Sequence, residues 1–576
     1  MRILLLTHSF NSLSQRLHVE LRERGHQVSV EYDINDQVTV EAVDLFRPDL
    51  VVAPFLKRAI PESVWRRQVC LIVHPGIPGD RGPSALDRAI LEDRPRWGVT
   101  VLQAEAGMDA GPVWAWRGFP MRAARKSSLY RFEVTEAAAG AVLEAIERFR
   151  TGAEPTYPDR LAGVTPGRWH DPVRQAERRI DWEHDDTATV VRRINAGDGA
   201  PGVADEILGQ PCRLFDAHTA PGMRGRPGGI VGRAHGAVCR ATRDGAVWIG
   251  HLRATDGSGP AFKLPAARVL GRRLRGVPAV TGAPAMAVDP VRYEEHGPVG
   301  LLHFDFYNGA MGTAHCRRLL AAWRAACRRP TRVIVLAGGT DFWCNGLHLN
   351  LIEAAESPAD ESWRNINAMD DLAEAVITTR SHLTVAAVGG NAGAGGAYLA
   401  LAADHVALRE GVTLNPHYRN MGNLYGSEYW TYLLPRRVGQ DAAAGIMRGR
   451  LPMGAAQALR LGLADSRGAA DPARFREQML EHALALAGAD DYAARLEDKD
   501  RRLARDTAAR PLQSWRDDEL AHMRLNFYGF DPSYHVARHR FVHQAPRAWT
   551  PRHLALHRRL GWTVPDEPGS RTLVSG

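Results

Sequence analysis

Residues 70–91 read CLIVHPGIPGDRGPSALDRAIL, and this stretch decides the fold of the first part of the chain. An apolar run ends at His74, a loop rich in proline and glycine follows, and the next residues predict a helix. Ligands of open α/β sheets collect at the carboxyl ends of the strands, so we expect a reaction site around His74. Ile72, an apolar residue, stands two positions before this histidine.

Short apolar runs on both sides of this stretch alternate with segments that predict helices. The runs are MRILLLTHSF, HQVSVEY, PDLVVAPF and VCLIVHPG, and helix-like sequences such as SLSQRLHVELRERG separate them. Such alternation favours a parallel α/β sheet of the Rossmann-like type. A long predicted helix stops at Gly152, and a proline-rich passage then marks the end of a first domain, residues 1–178.

Three further domains are predicted from changes in the pattern, which suits a chain too long for one hydrophobic core. Residues 179–280 contain short strands separated by glycine turns and predict a small β-barrel subdomain, OB-like in type. After a Pro/Gly/Ala connector, strands and helices alternate again, which predicts a second α/β domain over residues 288–500. Residues 501–576 predict a helical C-terminal region.

Composition limits the classes of function. The 576 residues are 45% hydrophobic and 24% charged, with a net charge of +8 and dispersed arginines. We therefore expect anionic small molecules as ligands and no nucleic acid. The six cysteines show no metal-ligand spacing, so we predict free thiols, no metal centre and a cytoplasmic location. The first apolar run is too short for a signal peptide or a membrane span.

A second polar residue belongs with His74. Asp109 lies in a glycine-containing turn, MDAG, between two apolar segments that predict strands. A histidine and a carboxylate on neighbouring loops form a usable acid/base pair, because the carboxylate orients the imidazole and stabilises its cation. The alternative is that His74 is a hydrogen-bonded turn residue and that MDAG is only a hairpin turn.

The segments HPGIPGDRGPSALDRAI and GVTV…MDAGPV together resemble the folate-dependent formyltransferases. The resemblance covers about residues 1–280, and RRINAGDGAPG is similar to the family's entry into its β-barrel. It implies 10-formyltetrahydrofolate as formyl donor and places His74 and Asp109 on catalytic positions. The family carries an asparagine where this chain has Ile72. Loss of one oxyanion donor costs about 100- to 1,000-fold in rate, so either formyl transfer is lost in this chain or the acceptor is an easier one, such as a thiol.

A second pair of segments lies in the other half of the chain: TDFWCNGLHLNLIE and LTVAAVGGNAGAGGAYLALAADHVAL. Their glycines fit a dinucleotide-binding fingerprint poorly. Together the segments resemble the crotonase family of enoyl-CoA hydratases and isomerases, over about residues 295–475. This implies a coenzyme A thioester site with glycines at Gly346 and Gly396, and an oxyanion hole formed by the amides of Leu347 and Gly395.

The two glutamates of the hydratases are missing from this half. Tyr398 stands at the first position, and NPHYRNMGNLYGSEYW offers His417, Tyr418 and Glu428 near the second. We expect Tyr418 and Glu428 to reach the thioester and His417 or Tyr398 to be the reserve acids. The alternative is that these residues serve only packing, as most Tyr and Glu residues in such loops do.

The order of the two halves resembles the family of nickel–iron hydrogenase maturation proteins in which a formyltransferase is fused to a crotonase. This resemblance covers the whole chain and implies formyl transfer to coenzyme A, followed by cleavage of formyl-CoA to carbon monoxide and CoA. It also suggests hydrogenase maturation proteins or the hydrogenase large subunit as partners. Two alternatives are a non-catalytic assembly scaffold and a formyltetrahydrofolate hydrolase with regulatory CoA binding.

The phosphates of coenzyme A require cations. We select four arginines for this role, although a solvated surface position is the better interpretation for any one of them alone: Arg16, Arg131, Arg538 and Arg540.

Overall fold

The computed structural model describes residues 1–163, 165–257 and 259–559. The first domain is a six-stranded sheet with strand order β2-β1-β3-β4-β5-β6. Its first four strands are parallel, but β5 pairs antiparallel with β4 and β6 pairs antiparallel with β5. The expected parallel sheet is therefore mixed, because the chain enters β5 in the direction opposite to β4 and then turns back into β6. Its elements are β1 Arg2–Thr7, α1 Ser12–Glu23, β2 Gln27–Tyr32, α2 Asp36–Phe46, β3 Leu50–Phe55, α3 Glu62–Trp65, β4 Cys70–His74, α4 Ala85–Leu91, β5 Arg96–Gln103, β6 Val113–Pro120, α5 Lys126–Leu129, a π-helical turn Tyr130–Val134 and α6 Thr135–Arg150.

The second domain is an antiparallel sheet with strand order β7-β8-β11-β10-β9, on which β12 pairs with β11. Its apolar core includes Ile194 from the preceding helix and Leu214 and Ile249 from two central strands, all of them fully buried. Its elements are a 3₁₀ turn Pro158–Arg160, α7 Gln175–Arg178, α8 Thr187–Ala196, β7 Val203–Ile207, β8 Gln210–Thr219, β9 Ile230–Ala234, β10 Ala237–Ala241, β11 Ala246–Ala254, β12 Leu264–Pro265, α9 Ala266–Leu270, a 3₁₀ turn Gly271–Leu274 and α10 Ala283–Met286.

The third domain has two sheets, with orders β13-β14-β15-β17-β19-β22 and β16-β18-β20-β21. The first sheet is parallel apart from the hairpin β13–β14. The second sheet carries the segments expected to bind the thioester. The elements are β13 Val291–His296, β14 Val299–Phe304, a 3₁₀ turn Tyr307–Gly309, α11 Thr313–Ala326, β15 Val333–Gly338, β16 Phe342–Cys344, α12 Leu349–Glu353, α13 Pro358–Ile377, β17 Leu383–Val388, β18 Asn391–Gly393, α14 Gly395–Leu401, β19 His405–Arg409, β20 Thr413–Asn415, α15 Trp430–Val438, α16 Gln440–Gly449, β21 Met453–Gly454, α17 Ala455–Leu461, β22 Ser466–Gly468 and α18 Pro472–Gly488.

The C-terminal region is helical and packs on the third domain through buried side chains such as Leu503, Met523 and Phe527. Its elements are α19 Tyr492–Ala509, α20 Leu512–Tyr528, α21 Ser533–Val542 and a 3₁₀ turn Leu556–Arg559. The predicted span 501–576 also includes residues 560–576, which lie outside the described residues. None of the helices in the described ranges has the length and apolar character needed to cross a bilayer.

The end of the described chain returns to the first domain, which the sequence did not suggest. The amide of Val30 in edge strand β2 donates to the carbonyl of Leu554 at 3.0 Å. The fully buried Glu31 carboxylate contacts His557 at 2.8 Å and Arg558 at 2.6 Å. This return covers an exposed sheet edge and ties the first and last parts of the chain together.

The three domains meet at a buried set of paired charges. Arg125 of the first domain contacts Asp216 of the second at 2.7 Å, and Lys263 donates to Tyr307 of the third at 3.0 Å. The Tyr307 hydroxyl in turn donates to Asp198 at 2.9 Å. Because each charge in this junction has a partner from another domain, removal of one would leave a buried charge uncompensated and would loosen the docking of the domains.

Candidate functional site

His74 ends strand β4 and is almost completely buried. Its Nε2 lies 2.9 Å from Asp80 Oδ2, and its Nδ1 lies 3.6 Å from Asp109 Oδ2. The predicted pair of His74 and Asp109 is therefore brought together. A carboxylate faces each ring nitrogen, so the site is built to stabilise the imidazolium that forms when the ring takes up a proton.

Asp80 was missed by the sequence analysis, although it lies within the quoted loop. The loop folds back so that the side chain reaches His74, and Gly76 makes this possible: a Cβ there would lie 2.3 Å from His74 Nε2 and 2.5 Å from Asp80 Oδ2. The only signal in the sequence was an acidic residue among the prolines and glycines that follow a strand-ending histidine.

A strap of residues 166–170 holds the loop in this conformation. The amide of Gly167 donates to the carbonyl of Pro78 at 2.8 Å, and the amide of Arg81 donates to the carbonyl of Arg168 at 3.1 Å. The amide of His170 donates to the carbonyl of Arg81 at 2.9 Å. The strap thus satisfies the backbone of the loop and leaves its side chains free to form the site.

Asp109 has a left-handed backbone conformation with φ of 51°, which is uncommon for a residue other than glycine. Its Oδ2 accepts the amide of Gly82 at 3.1 Å, from the same loop that carries Asp80. Unfavourable conformations of this kind persist where the surroundings enforce them and are concentrated at functional sites. Here the strain aims the carboxylate at His74.

Ile72 lies in β4 between Ala53 of β3 and Leu102 of β5. It is partly buried and packs against the apolar cluster on one side of the sheet. The position where formyltransferases carry an amide is therefore apolar here.

The expected oxyanion hole is assembled from two loops of the third domain. Gly346 has φ of 78°, and a Cβ there would lie 3.6 Å from the Gly395 nitrogen, so the two loops approach closely. Gly396 packs against the chain before this loop, since its Cβ would lie 2.1 Å from the carbonyl oxygen of Cys344. Within the described residues, the amides of Leu347 and Gly395 donate to no protein acceptor. These amides are suited to bind a thioester carbonyl.

Glu428 lies directly against this hole. A Cβ on Gly395 would lie 2.2 Å from its Oε1, and the Tyr418 hydroxyl lies 2.6 Å from its Oε2. Both Glu428 and the following Tyr429 have left-handed backbones, with φ of 58° and 60°. Two adjacent strained residues here indicate that the chain conformation serves to place the carboxyl group.

The surroundings of Glu428 determine its protonation. Burial, followed by the charge of Asp370, raises the pKa of Glu428 well above its ordinary value. Burial also raises the pKa of Asp370 to about 7, although Arg516 opposes this, and the pKa of Glu519 to about 8. Three buried carboxyl groups beside the guanidinium of Arg516 cannot all be ionised. Glu428 contacts no cation among the described residues, so it is the carboxyl group that we expect to be neutral.

Tyr398 and His417, the two alternative candidates for the catalytic acid, have surroundings that differ from those of Glu428. The Tyr398 hydroxyl donates to the carbonyl of Pro416 at 2.7 Å, and its ring stacks on Tyr418 with centroids 5.5 Å apart. His417 is buried, and burial lowers its pKa to about 4, with help from the charge of His553. Neither ring nitrogen of His417 has a hydrogen-bond partner within the described residues. Tyr398 therefore supports the ring of Tyr418, and His417 is a neutral side chain.

Two of the selected arginines lie between the halves. Arg16 is buried and contacts Glu20 at 2.8 Å and Glu136 at 3.1 Å. Arg131, in the π-helical turn, donates to Asn308 Oδ1 of the third domain at 2.8 Å and lies over the ring of Phe342. Arg131 thus faces the loop that leads to the oxyanion hole, and π-helical turns are frequent at functional sites.

The other two arginines lie in α21 of the C-terminal region. Arg538 is buried and contacts Glu353 Oε2 at 2.7 Å. Arg540 donates to the carbonyl of Pro546 at 2.9 Å. Both side chains have protein partners, so of the four arginines Arg131 has the position best suited to a molecule that lies between the halves.

Polar residues that link the two halves were also missed. The Asn415 side chain at the end of β20 donates to Gln15 Oε1 of α1 at 2.8 Å. The Asn345 side chain, two residues before Leu347, donates to the carbonyl of Asn308 at 2.9 Å. Amide side chains at such positions have no sequence signature, because their role depends on docking of domains that are distant in the chain.

Models of known protein families match both halves of the chain. The formyl transferase model matches residues 1–146, and the formyl transferase C-terminal domain model matches residues 172–259. The enoyl-CoA hydratase/isomerase model matches residues 314–514. A methionyl-tRNA formyltransferase of Dechloromonas aromatica is 31% identical over 189 residues, which are 33% of this chain and 59% of that protein. The predicted fusion of a formyltransferase with a crotonase fold is confirmed.

Two relatives match nearly the whole chain. The hydrogenase maturation factor HoxX of Bradyrhizobium diazoefficiens is 56% identical over 558 residues, 97% of each protein. The crystal structure of HypX from Aquifex aeolicus in complex with tetrahydrofolic acid superposes with a TM-score of 0.93 at 49% identity and covers 98% of this chain and 100% of that chain. The chain therefore belongs to the HypX/HoxX family of hydrogenase maturation factors.

Proposed function

We propose that this protein makes carbon monoxide for the assembly of a nickel–iron hydrogenase. The first half transfers a formyl group from 10-formyltetrahydrofolate to coenzyme A, and the second half splits formyl-CoA into carbon monoxide and CoA. The observation that carries the proposal is the position of the buried Glu428, whose carboxyl group is hydrogen bonded to Tyr418 and packed against Gly395 at the expected oxyanion hole, where burial raises its pKa. Hydrogenase maturation proteins, or the large subunit itself, would receive the gas.

In the first step His74 handles the proton. The CoA sulfur attacks the formyl carbon, a C–S bond forms, and the bond from carbon to N10 of the folate breaks. His74 takes the thiol proton and returns it to N10, while Asp109 and Asp80 stabilise the imidazolium in between. The tetrahydrofolic acid in the Aquifex aeolicus HypX structure supports folate as the donor.

Ile72 suits a thiol acceptor. A thiolate attacks without needing the help that a protonated amine requires, so the oxyanion donor lost at this position matters less. An apolar side chain in β4, two residues before His74, also keeps water from competing for the formyl group.

In the second step Glu428 and Tyr418 move one proton. The formyl C–H bond and the C–S bond break, which releases carbon monoxide and leaves a thiolate. The relay gives a proton to the sulfur and takes the formyl proton in exchange, so the protein ends as it began. The amides of Leu347 and Gly395 polarise the formyl carbonyl, and removal of one such donor typically costs about 100- to 1,000-fold in rate.

The interface between the halves suits an intermediate that must not be hydrolysed. Arg131 contacts Asn308, and Asn308 contacts Asn345 near the oxyanion hole. On the same interface Gln15 contacts Asn415, three residues before Tyr418. We propose that CoA lies along this interface with Arg131 beside its phosphates, so that its thiol can serve both sites.

The test is to supply 10-formyltetrahydrofolate and CoA together and to measure tetrahydrofolate by absorbance, CoA species by chromatography, and carbon monoxide by capture on haemoglobin. The proposal expects tetrahydrofolate and carbon monoxide to form in equal amounts, the total of CoA and formyl-CoA to stay constant because the second step regenerates CoA, and none of the gas to form when CoA is left out. Tetrahydrofolate and formate without the gas would instead favour a formyltetrahydrofolate hydrolase, and no turnover at all would favour a scaffold.

A further inference from the structure

Three potential metal ligands converge at the contact between α12 and α21, on a face of the molecule that the proposed reaction does not use. His539 Nδ1 lies 2.8 Å from Glu353 Oε1, and His543 Nε2 lies 3.2 Å from the same oxygen. The three ligand atoms lie within 4.8 Å of one another. We propose that Glu353, His539 and His543 bind a first-row divalent cation such as Zn²⁺, Co²⁺ or Ni²⁺.

The spacing of the three atoms fits this class of ion. His539 lies in the last turn of α21 and His543 caps this helix four residues later, so both project from the same face, and a carboxylate from α12 completes a His₂Glu set. Ligand atoms of a tetrahedral ion with bonds of about 2.0–2.1 Å lie about 3.3 Å apart, close to the two measured separations.

The residues that contact the three proposed ligands also suit a metal site. Arg538 donates to the second oxygen of Glu353 at 2.7 Å and is itself held by His535, whose Nε2 contacts the carbonyl of Phe527 at 2.9 Å. A ligating carboxylate in a metal site is commonly oriented in this way. The Phe262 ring meets the His543 ring edge to face and fixes its orientation.

The solvent exposure of the three side chains indicates which kind of metal site they would form. The side chains of His539 and His543 are 59% and 36% exposed, whereas that of Glu353 is 11% exposed. A three-ligand site that faces solvent leaves a fourth position for water or for a donor from another molecule. Mixed imidazole and carboxylate donors favour zinc, cobalt or nickel over magnesium or calcium, which prefer oxygen ligands alone.

The position of the site suggests what the ion would do. Glu353 ends α12, which begins two residues after Leu347, and α21 belongs to the C-terminal region. An ion held by both helices would fasten the C-terminal region to the element that carries one oxyanion amide. This role does not depend on the proposed reaction, since it requires only that the two helices remain docked.

The test uses full-length protein from which any affinity tag has been removed. Isothermal titration with Zn²⁺, and absorption spectra with Co²⁺, are expected to show one tight site per chain and the bands of a four-coordinate ion. His539→Asn and His543→Asn together are expected to abolish this site. A single substitution should weaken binding by at least the roughly 10- to 100-fold that loss of an outer partner costs.

His184→Asn is the matched control, because His184 also pairs with a carboxylate, Asp181 at 3.0 Å, but is 80% exposed and belongs to no cluster of potential metal ligands in the part of the chain that the structure describes. It should bind the ion as the wild type does. Thermal unfolding gives a second readout: Zn²⁺ should raise the Tm of wild type and control, but not of the double variant. Equal binding by wild type and double variant, or no tight site in the wild type, would overturn the proposal.

Discussion

The carboxyl group of Glu428 occupies the space into which a methyl group on Gly395 would project, with a separation of only 2.2 Å. Gly395→Ala should therefore push Glu428 aside and disturb the amide beside it. We expect the release of carbon monoxide from formyl-CoA to fall by about 100-fold or more, while tetrahydrofolate formation continues. Gly445→Ala, on α16 with nothing within 4 Å of its Cβ position, is the control and should leave both steps unchanged.

Glu428→Gln and Tyr418→Phe remove a proton-handling atom and keep the shape of the side chain. Each should slow carbon monoxide release by about 100- to 10,000-fold, the usual contribution of a general acid or base. Formyl-CoA, or the formate that it yields on hydrolysis, should accumulate. Glu410→Gln and Tyr528→Phe, both at exposed positions of the same half, serve as controls. Normal gas release by both site variants would make Glu428 and Tyr418 packing residues.

The pH dependence of the second step follows from the raised pKa of Glu428. The neutral carboxyl is the active form, so gas release from formyl-CoA should fall as pH rises through this pKa. Asp370→Asn removes a charge that raises the pKa, and the fall should then move to lower pH. Initial rates measured across pH, with the uncatalysed loss subtracted, give the comparison. A fall at the same pH in both proteins would remove Glu428 from the acid role.

Substitution of His74 or Asp109 by alanine should abolish formyl transfer and leave the fold intact, as judged by circular dichroism. Asp80→Asn keeps a hydrogen-bonding group on His74 but removes the charge, so we expect a partial loss of about 10- to 100-fold. The measurement is tetrahydrofolate release with CoA present. Added formyl-CoA should still be split by all three variants, and wild-type transfer rates in the first two would refute the assignment.

Ile72→Asn restores the amide that formyltransferases carry at this position. If the acceptor is a thiol, the substitution should not increase formyl-CoA formation, and it should increase formate by admitting water. Ile72→Val keeps the site apolar and should behave as the wild type. A clear gain in formyl-CoA with Ile72→Asn would show that the apolar residue is a defect in the site.

Site residues could be predicted from the sequence where they belong to a short, local motif. The strand, loop and histidine at residues 70–74, and the turn that holds Asp109, could be placed because each depends on neighbours in the chain. The same holds for Gly346 and Gly395, whose loops come directly after short strands. The order of these segments was enough to identify both halves.

Residues that reach the site only through contacts between distant parts of the chain could not be predicted from the sequence. Asp370 and Glu519 lie within the ordinary-looking helices α13 and α20, and only packing brings them to the loop around Glu428. Glu353 and His539 are separated by 186 residues, so the helical spacing of the two histidines had no visible third partner. The return of residues 550–559 to β2 uses a backbone hydrogen bond from Val30 to Leu554 and the buried carboxylate of Glu31. In the sequence, Glu31 has the pattern of a surface residue in an alternating strand.

The most direct measurement is to follow a formyl carbon labelled with ¹³C from 10-formyltetrahydrofolate through the wild-type protein. In the presence of CoA the label should appear as formyl-CoA and then as carbon monoxide bound to haemoglobin, and the Glu428→Gln variant should hold it at formyl-CoA or formate. If the label leaves the wild type only as formate, or reaches carbon monoxide without CoA, the two-step account is contradicted.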